Sequence, residues 1–493
     1  MHCFVSFRLR LGLLLALGSA LLAPVACAPV GPDYQPPQPS MPSQWGEDTA
    51  TDRHVEACAN WWSLFHDPLL DDLIRRATAA NLDIKIAGTR IREARALYRQ
   101  AVSGQVPSVD AGGLYNASNQ SKNVADGAHP QDLFQAQFDV NWEIDVFGSI
   151  RRQTEAAEAN LAATMEDQRS VLISLAAEVA RNYIELRAYQ QRLTIARENS
   201  RNQEQTVELV CNRFHLGLGN DLEVAQAETL LAQTRADMPA LESGAVQAMY
   251  QLALLLGQQP QTLKAELTST DLPFPEPPPV PLSLPSELLR QRPDIRSAER
   301  QLAAATATVG VATADLFPRF SLSALVGLQS ASLHDLVTSS SRFWSIGPVV
   351  NWPLFDGGRR QAVVEASEAQ RQRAELTYEK TVLTALAETE SALAAQNRER
   401  ETYERLATAV DTSQRATRIA HGLYQAGLTP LLNVLQSETA LYQSQDTQVQ
   451  SGQRLAVNMI ALYKALGGGW QLQLPDKAAP SGGDAKPLAR NSP

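Results

Sequence analysis

FHLGLGNDLEVAQAET, Phe214 to Thr229, and YQAGLTPLLNVLQSET, Tyr424 to Thr439, carry one pattern twice. Gly217, Leu218, Leu222, Val224, Gln226, Glu228 and Thr229 recur at Gly427, Leu428, Leu432, Val434, Gln436, Glu438 and Thr439. The correspondence extends outward. Asn141-Trp142 returns as Asn351-Trp352 and Leu256-Gly257 as Leu466-Gly467. Leu82-Asp83-Ile84 matches Pro293-Asp294-Ile295 with one residue more. Register kept across half a chain marks two internal repeats.

Each copy of the pattern is a turn between two long helices. Ile150 to about Arg213 contains no proline, and at 1.5 Å per residue spans on the order of 95 Å as one helix. A globular helix is seldom that long, so this predicts a coiled-coil-like rod. Leu172, Leu175, Val179, Asn182, Leu186, Tyr189 and Leu193 repeat in steps of three and four along it. Gly217-Leu218-Gly219-Asn220 forms the turn, and Asp221 to Leu256 returns antiparallel. The second half repeats the scheme with Arg359 to about Leu423, a turn over Gly427 to Pro430, and Leu431 to Leu466.

Before each rod the periodicity changes to two. Phe138, Val140, Trp142, Ile144 and Val146 alternate with Asp139, Asn141, Glu143 and Asp145. Val109, Ala111, Gly113 and Tyr115 give a weaker partner strand. The second half has candidates at Phe320 to Leu328 and Trp344 to Leu354, where Pro348 and Pro353 predict bulges or strand ends. A helix over Asp67 to about Ala101 precedes the first strands, with Asp67 as cap and Pro68 as its first residue. The expected segments are 1–26 signal peptide, 27–66 leash, 67–258 first repeat, 259–285 Pro-rich connector, 286–470 second repeat and 471–493 disordered tail.

Four strands cannot close on themselves, and their edges need neighbours, so the chain must oligomerise. After the N-terminal segment no apolar run is long enough to span a bilayer as a helix, so any crossing is by a closed β-barrel. The acidic strand face, Asp139, Asn141, Glu143 and Asp145, then lines a wet lumen, with Phe138 and Trp142 toward lipid. A formal charge of −10 over 493 residues excludes a nucleic-acid role.

At the N-terminus, Arg8 and Arg10 precede the apolar stretch Leu11 to Ala26, which reads as a signal. Ala23-Pro24-Val25-Ala26-Cys27 resembles a bacterial lipobox, though Pro24 stands where leucine is usual. Two readings stand: Cys27 is acylated, or ordinary cleavage leaves it a spare thiol. Cys58 and Cys211 could form a disulfide only by coming together from far apart in sequence. No catalytic motif, metal spacing or cofactor loop is present. Gly217-Leu218-Gly219 is a turn, and His215 and His421 are solvated turn residues. A lipid-bound periplasmic scaffold and a lipid-anchored enzyme are the competing classes. The alternating strand counts against the first, the missing site against the second.

The arrangement resembles the TolC-like outer-membrane efflux family, in particular its OprM/NodT-type lipoprotein branch. The motifs that carry it are Val30-Gly31-Pro32-Asp33-Tyr34, Trp61-Trp62, Phe65-His66-Asp67-Pro68-Leu69 and Asn81-Leu82-Asp83-Ile84. To these add Asp145-Val146-Phe147-Gly148, Gln291-Arg292-Pro293-Asp294-Ile295, Trp352-Pro353-Leu354-Phe355-Asp356-Gly357-Gly358 and Leu462 to Trp470. The resemblance implies a mainly α protein with membrane β structure: a homotrimer with a twelve-stranded β-barrel continuous with a long periplasmic α-helical barrel. It implies passive export of drugs or other small solutes, driven by an inner-membrane pump through a periplasmic adaptor, without cofactor or metal. It places a closed gate at the rod turns. There Leu432 would be an apolar constriction, Gln436 stands where an acidic ring is usual, and Glu223 occupies an acidic position of the first turn. The tips, with Arg213, Gly217, Tyr424 and Gly427, would meet the adaptor. Coiled-coil packing for Leu432, a solvated face for Glu223 and simple tight turns for the glycines are the alternative readings.

Overall fold

The structure, a computed structural model, describes residues 29–46, 60–119, 123, 131–268 and 287–470. Cys27, Cys58, most of the connector and the tail lie outside these residues, so neither acylation nor the Cys58–Cys211 pairing is addressed by it. The main helices are α1 (Pro68–Ala80), α2 (Leu82–Ser103), α3 (Ser149–His215), α4 (Asp221–Leu255), α5 (Pro293–Ala314), α6 (Arg359–Gln425) and α7 (Leu431–Ala465). The strands are β1 (Ser108–Ser118), β2 (Gln131–Ile144), β3 (Arg319–Ser330) and β4 (Arg342–Asn351).

The two halves match element by element. α2 and α5 have 22 residues each, α3 and α6 67 each, α4 and α7 35 each. One bond carries the match to the atom: Trp142 Nε1 donates to Gln105 O at 3.2 Å, and Trp352 Nε1 to Leu316 O at 3.4 Å. The donors stand 210 residues apart and the acceptors 211. The one-residue change in offset therefore falls between the first and second strand of the repeat.

By its contacts the chain forms two compact units. One comprises Met1–Pro39, Thr89–Glu166 and Ile295–Thr381; the other Ser40–Gly88, Asp167–Asp294 and Val382–Pro493. The first unit holds an antiparallel four-stranded meander, β1-β2-β3-β4. One of its faces is apolar except at one end, where Asp132, Ser330 and Arg342 lie: Ala111 pairs with Phe138, Phe138 with Val326 and Val326 with Trp344. Phe138, Trp344 and Ile346 are more than half exposed on it, which suits lipid rather than water. Asp139, Asn141 and Glu143 alternate to the other face. β2 ends at Ile144, so Asp145 is not a strand residue. Its carboxylate accepts from Ile150 N at 3.1 Å and Arg151 N at 2.9 Å, satisfying orphan donors at the start of α3. Pro348 makes neither bulge nor strand end. It sits inside β4 opposite Leu322, on an edge strand where the missing donor is tolerated.

The described leash is tied into this unit. Val30 N donates to Phe147 O at 3.0 Å, and the buried Arg152 donates to Val30 O and to Asp33 Oδ1 at 2.6 Å. Gly148 and Gly31 both have positive φ, and close approach fixes them further. A Cβ on Gly148 would lie 2.6 Å from Pro29, and one on Gly31 2.5 Å from Gly310 Cα.

In the second unit the single helix expected from Asp67 is two. Asn81 breaks it with extended ψ, and its Oδ1 accepts from Asp83 N and Ile84 N, starting α2 afresh. Trp61 stacks on Tyr463 at 5.3 Å beside Phe65, a cluster that the sequence shows only as scattered aromatics. The apolar heptad of α3 is buried at Leu172, Leu175, Val179 and Leu186, but so are Tyr183, Ile184 and Ala188. Part of that burial is tied to the N-terminal end of α1. Tyr183 Oη donates to Asp67 Oδ2 at 2.6 Å, while Asp67 Oδ1 caps α1 at Leu69 N. Burial and the Asp67 carboxylate together hold the Tyr183 phenol well above its ordinary pKa.

Asp67→Ala removes a cap and a charge-assisted bond to a buried hydroxyl, so it should lower stability by roughly 2–4 kcal/mol. Asp67→Asn, which can still cap, should lose about half of that. Urea unfolding of detergent-solubilised protein, followed by helical circular dichroism, measures both.

Candidate functional site at the rod turns

The first turn closes α3 with two bonds, Gly217 N to Phe214 O at 2.9 Å and Leu218 N to Arg213 O at 2.8 Å. The second closes α6 identically, Gly427 N to Tyr424 O at 2.9 Å and Leu428 N to Leu423 O at 2.8 Å. This pairing is the Schellman arrangement, which needs a left-handed residue; φ is +74° at Gly217 and +75° at Gly427. The returning helices start differently. Asn220 caps α4 through Oδ1, which accepts from Glu223 N at 3.0 Å, whereas Pro430 precedes α7 without a side-chain cap.

Val210, Ala227, Tyr424, Leu431, Val434 and Leu435 form the core beneath the turns. Tyr424, expected at the adaptor-facing tip, is thus a buried member of that core. The Arg213 guanidinium lies 4.9 Å from its ring centre and donates to its carbonyl. Burial raises the Tyr424 pKa first, and the Glu223 carboxylate adds to it against the opposing charge of Arg213. What the tips expose instead is apolar: Leu216, Leu218, Leu222 and Leu428 are all more than 60% accessible.

A groove of about 550 Å³ runs between the first turns of α4 and α7. Its walls are six positions used twice, each pair 210 residues apart: Leu222 and Leu432, Gln226 and Gln436, Thr229 and Thr439 among them. Leu432 is 50% exposed while Leu431, Val434 and Leu435 beside it are buried, so within one chain it packs no seam. Leu432 and Gln436 both line the groove, but Glu223 does not. It lies by Asn220 and Tyr424, and the partner of Leu432 is its own repeat equivalent, Leu222. That pairing was readable from the repeat alignment.

Above the groove a polar ladder joins α3 to α7 with heptad spacing. Arg192 pairs with Asp446 at 2.6 Å, Asn199 Nδ2 donates to Gln445 Oε1 at 2.9 Å, and Thr206 Oγ1 to Glu438 Oε1 at 2.7 Å. The spacing is present in the sequence, since Arg192, Asn199, Thr206 and Arg213 recur every seven residues, but polar residues at that spacing suit a solvated face equally well. Glu438 is 4% exposed, and Oε1 also lies 2.9 Å from His421 Nε2, so His421 is a structural partner rather than a solvated turn residue. His215 is exposed. Among the described residues no group of three or more His, Cys, Asp or Glu could hold a metal, and no helix is long and apolar enough to cross a membrane.

Comparison with known proteins accounts for this arrangement. The pattern of the outer membrane efflux protein family matches residues 73–258 and again 284–468, one match per repeat. The chain belongs to that family. The cation efflux system protein CusC of Escherichia coli is 32% identical over 91% of the chain and 97% of its own length. The pyoverdine export outer membrane protein OpmQ of Pseudomonas aeruginosa is 34% identical over 90% and 96%. The solved outer-membrane channel OprN superimposes with a TM-score of 0.84 at 36% identity, covering 90% of this chain and 99% of that one. The chain is an outer-membrane channel subunit of an efflux system, with the trimeric, mainly α, two-repeat TolC-like fold.

Glu438→Ala should cost on the order of 2–4 kcal/mol, since Thr206 and His421 lose their acceptor in a buried place. Glu438→Gln keeps an acceptor oxygen and should cost about 1 kcal/mol. Denaturant midpoints of the two variants against wild type read the difference.

Proposed function

We propose that this subunit forms the passive exit duct of a tripartite efflux system and closes it at the rod turns, with Leu432 and Leu222 as the apolar constriction. The groove in which the two repeats present the same leucine and glutamine side by side carries the reading. Threefold symmetry multiplies those leucines around one axis, and apolar side chains meeting there dewet the path. Gln226 and Gln436 line the next helical turn without charge. Glu223, set to one side, biases the open mouth toward cations rather than forming the constriction.

The exposed leucines of the tips, held on positive-φ glycines, are the contact for a periplasmic adaptor, with the half-buried Arg213 on the buried Tyr424 as the brace beneath. Asp139, Asn141 and Glu143 line the lumen. Asp145 belongs to the helix cap. No reaction is catalysed and no cofactor or metal is held; energy comes from an inner-membrane pump. Relatives named for cation efflux and for pyoverdine export have nearly equal identity to this chain, so the pump, not the duct, selects the cargo. Cys27 carries lipid. Support comes from Pro29, two residues on, packed against Gly148 between the end of β2 and the start of α3. Two or more acyl chains there give stable anchoring.

Leu432→Ala, and more strongly Leu222→Ala with Leu432→Ala, should raise single-channel conductance or opening frequency in planar bilayers while the trimer stays intact. Wild-type conductance from an intact trimer would move the gate elsewhere. Glu223→Gln should weaken cation preference without opening the resting channel. A fatty-acid analogue should label the wild type and not Cys27→Ser; equal labelling of the two would refute the anchor.

A further inference from the structure

Where β3 and β4 meet α5 and α6, the second repeat departs from the first. Equivalent residues stand 211 apart up to β3 and 210 apart from β4 onward, as Gln105 with Leu316 and Trp142 with Trp352 show. Gly104, Ser108, Ser149 and Ile150 therefore correspond to Asp315, Arg319, Arg359 and Arg360. The first repeat makes the same junction of strands and helices without these three arginines, so the fold itself does not require them.

The four residues surround a cavity of about 250 Å³, with Asn351 and Pro353 in its wall. Arg319 and Asn351 are register partners at the end of the sheet. They alternate to the face that carries Glu143, away from Phe320 and Val350 on the apolar face. Two of the arginines are committed. Arg319 Nη2 donates to Asp315 Oδ1 at 2.5 Å, and Arg360 donates from its side chain to the Asp315 carbonyl. Arg360 N also donates to Asp356 Oδ2 at 3.3 Å, and its Nε lies 3.4 Å from the same oxygen. Arg359 is different. It is exposed, and its guanidinium has neither an ion pair nor a hydrogen bond to any described residue.

We propose that this cavity binds a dissolved oxyanion, the carboxylate or phosphate group of a solute in the duct, with Arg359 as the principal ligand. A guanidinium is a planar fork of donors that matches either group bidentately. Asp315 and Asp356 hold Arg319 and Arg360 in place, and Glu143 acts electrostatically on Arg319 from outside the cavity wall. Arg359 is left as the group with charge and donors to give. At roughly 30 Å³ per water, the cavity has room for an oxyanion with part of its hydration. Its place on the polar side of the sheet makes the ligand a solute rather than a lipid headgroup. This assignment rests on the channel reading, which puts that side in the lumen, and it adds a chemical class to what the duct handles. The first repeat has no counterpart, so each chain carries one such station.

The test uses the full-length trimer, in detergent and in planar bilayers, with citrate and inorganic phosphate as probes. In equilibrium dialysis the wild type should retain labelled citrate, and Arg359→Gln should weaken that binding at least fivefold. Arg359→Lys, which keeps the charge without the fork, should recover only part of it. Arg342→Gln, which removes the same charge from the apolar face of β4, should bind as wild type does. In bilayers at constant ionic strength, citrate should lower the open-channel current with the same ranking of variants. A wild type that conducts, yet neither binds nor is slowed by either probe, overturns the site alone. Equal loss in Arg342→Gln also overturns it, in favour of a diffuse charge effect. Displacement of citrate by phosphatidylglycerol vesicles, but not by free phosphate, would assign the cavity to a lipid headgroup and refute the solute. A trimer that binds citrate but never conducts, even with Leu222→Ala and Leu432→Ala, keeps the site and overturns the channel reading.

Discussion

Backbone hydrogen bonding in a medium without water is the constraint on which the rest depends. Hydrocarbon offers no partner to an N–H or C=O, and each unsatisfied group costs several kcal/mol. A four-stranded meander leaves two edges, so this sheet is stable in a bilayer only when copies of the chain supply what one lacks. The repeat follows from the same demand, because a ring closes most simply from equivalent seams. The long helices follow too. Strands that belong to a ring commit the rods attached to them to the same ring, and the heptad contacts of α3 with α7 are made between repeats as the β2–β3 seam is.

Much of this was legible in the sequence, for identifiable reasons. The strand Phe138 to Ile144 announces itself because one face meets lipid and the other water, so hydropathy alternates with the pleat. The rods announce themselves by length and absence of proline. β1 was faint because Gly112, Gly113 and Asn116 have little β propensity; its strand character comes from its partner β2 rather than from its own side chains. Asn81 was hidden inside a helical pattern because its cap is a local backbone event that leaves apolar spacing intact on both sides. Asp145 looked like a lumen residue because alternation continues through it, whereas its carboxylate is taken by the α3 amides.

At the rod turns, sequence located the residues and structure sorted them. Equivalent sequence positions proved to be spatial neighbours, which brings Leu222 to Leu432 and leaves Glu223 aside. Tyr424 changed role, from tip surface to core, since a tyrosine beside a turn shows nothing of its burial until the neighbouring helix is placed. The heptad ladder is hidden in the sequence because polar residues at that spacing equally suit a solvated face. Between α3 and α7 they are paired, and they fix axial alignment more sharply than leucines, which slide past one another at small cost.

The leash has a consequence for symmetry. Each repeat opens its first rod after a positive-φ glycine, Gly148 and Gly358, yet only Gly148 is covered, by Pro29; a Cβ on Gly358 would meet nothing within 4 Å. The seat also needs Gly310, where a Cβ would lie 2.8 Å from the Arg152 side chain that holds Val30 and Asp33, and the residue that corresponds to Gly310 in the first repeat is Arg99. A ring of six look-alike units thus offers three berths and three refusals for the N-terminal segment. The chain breaks its own sixfold resemblance into a true threefold, and it does so with the absence of a side chain at one position.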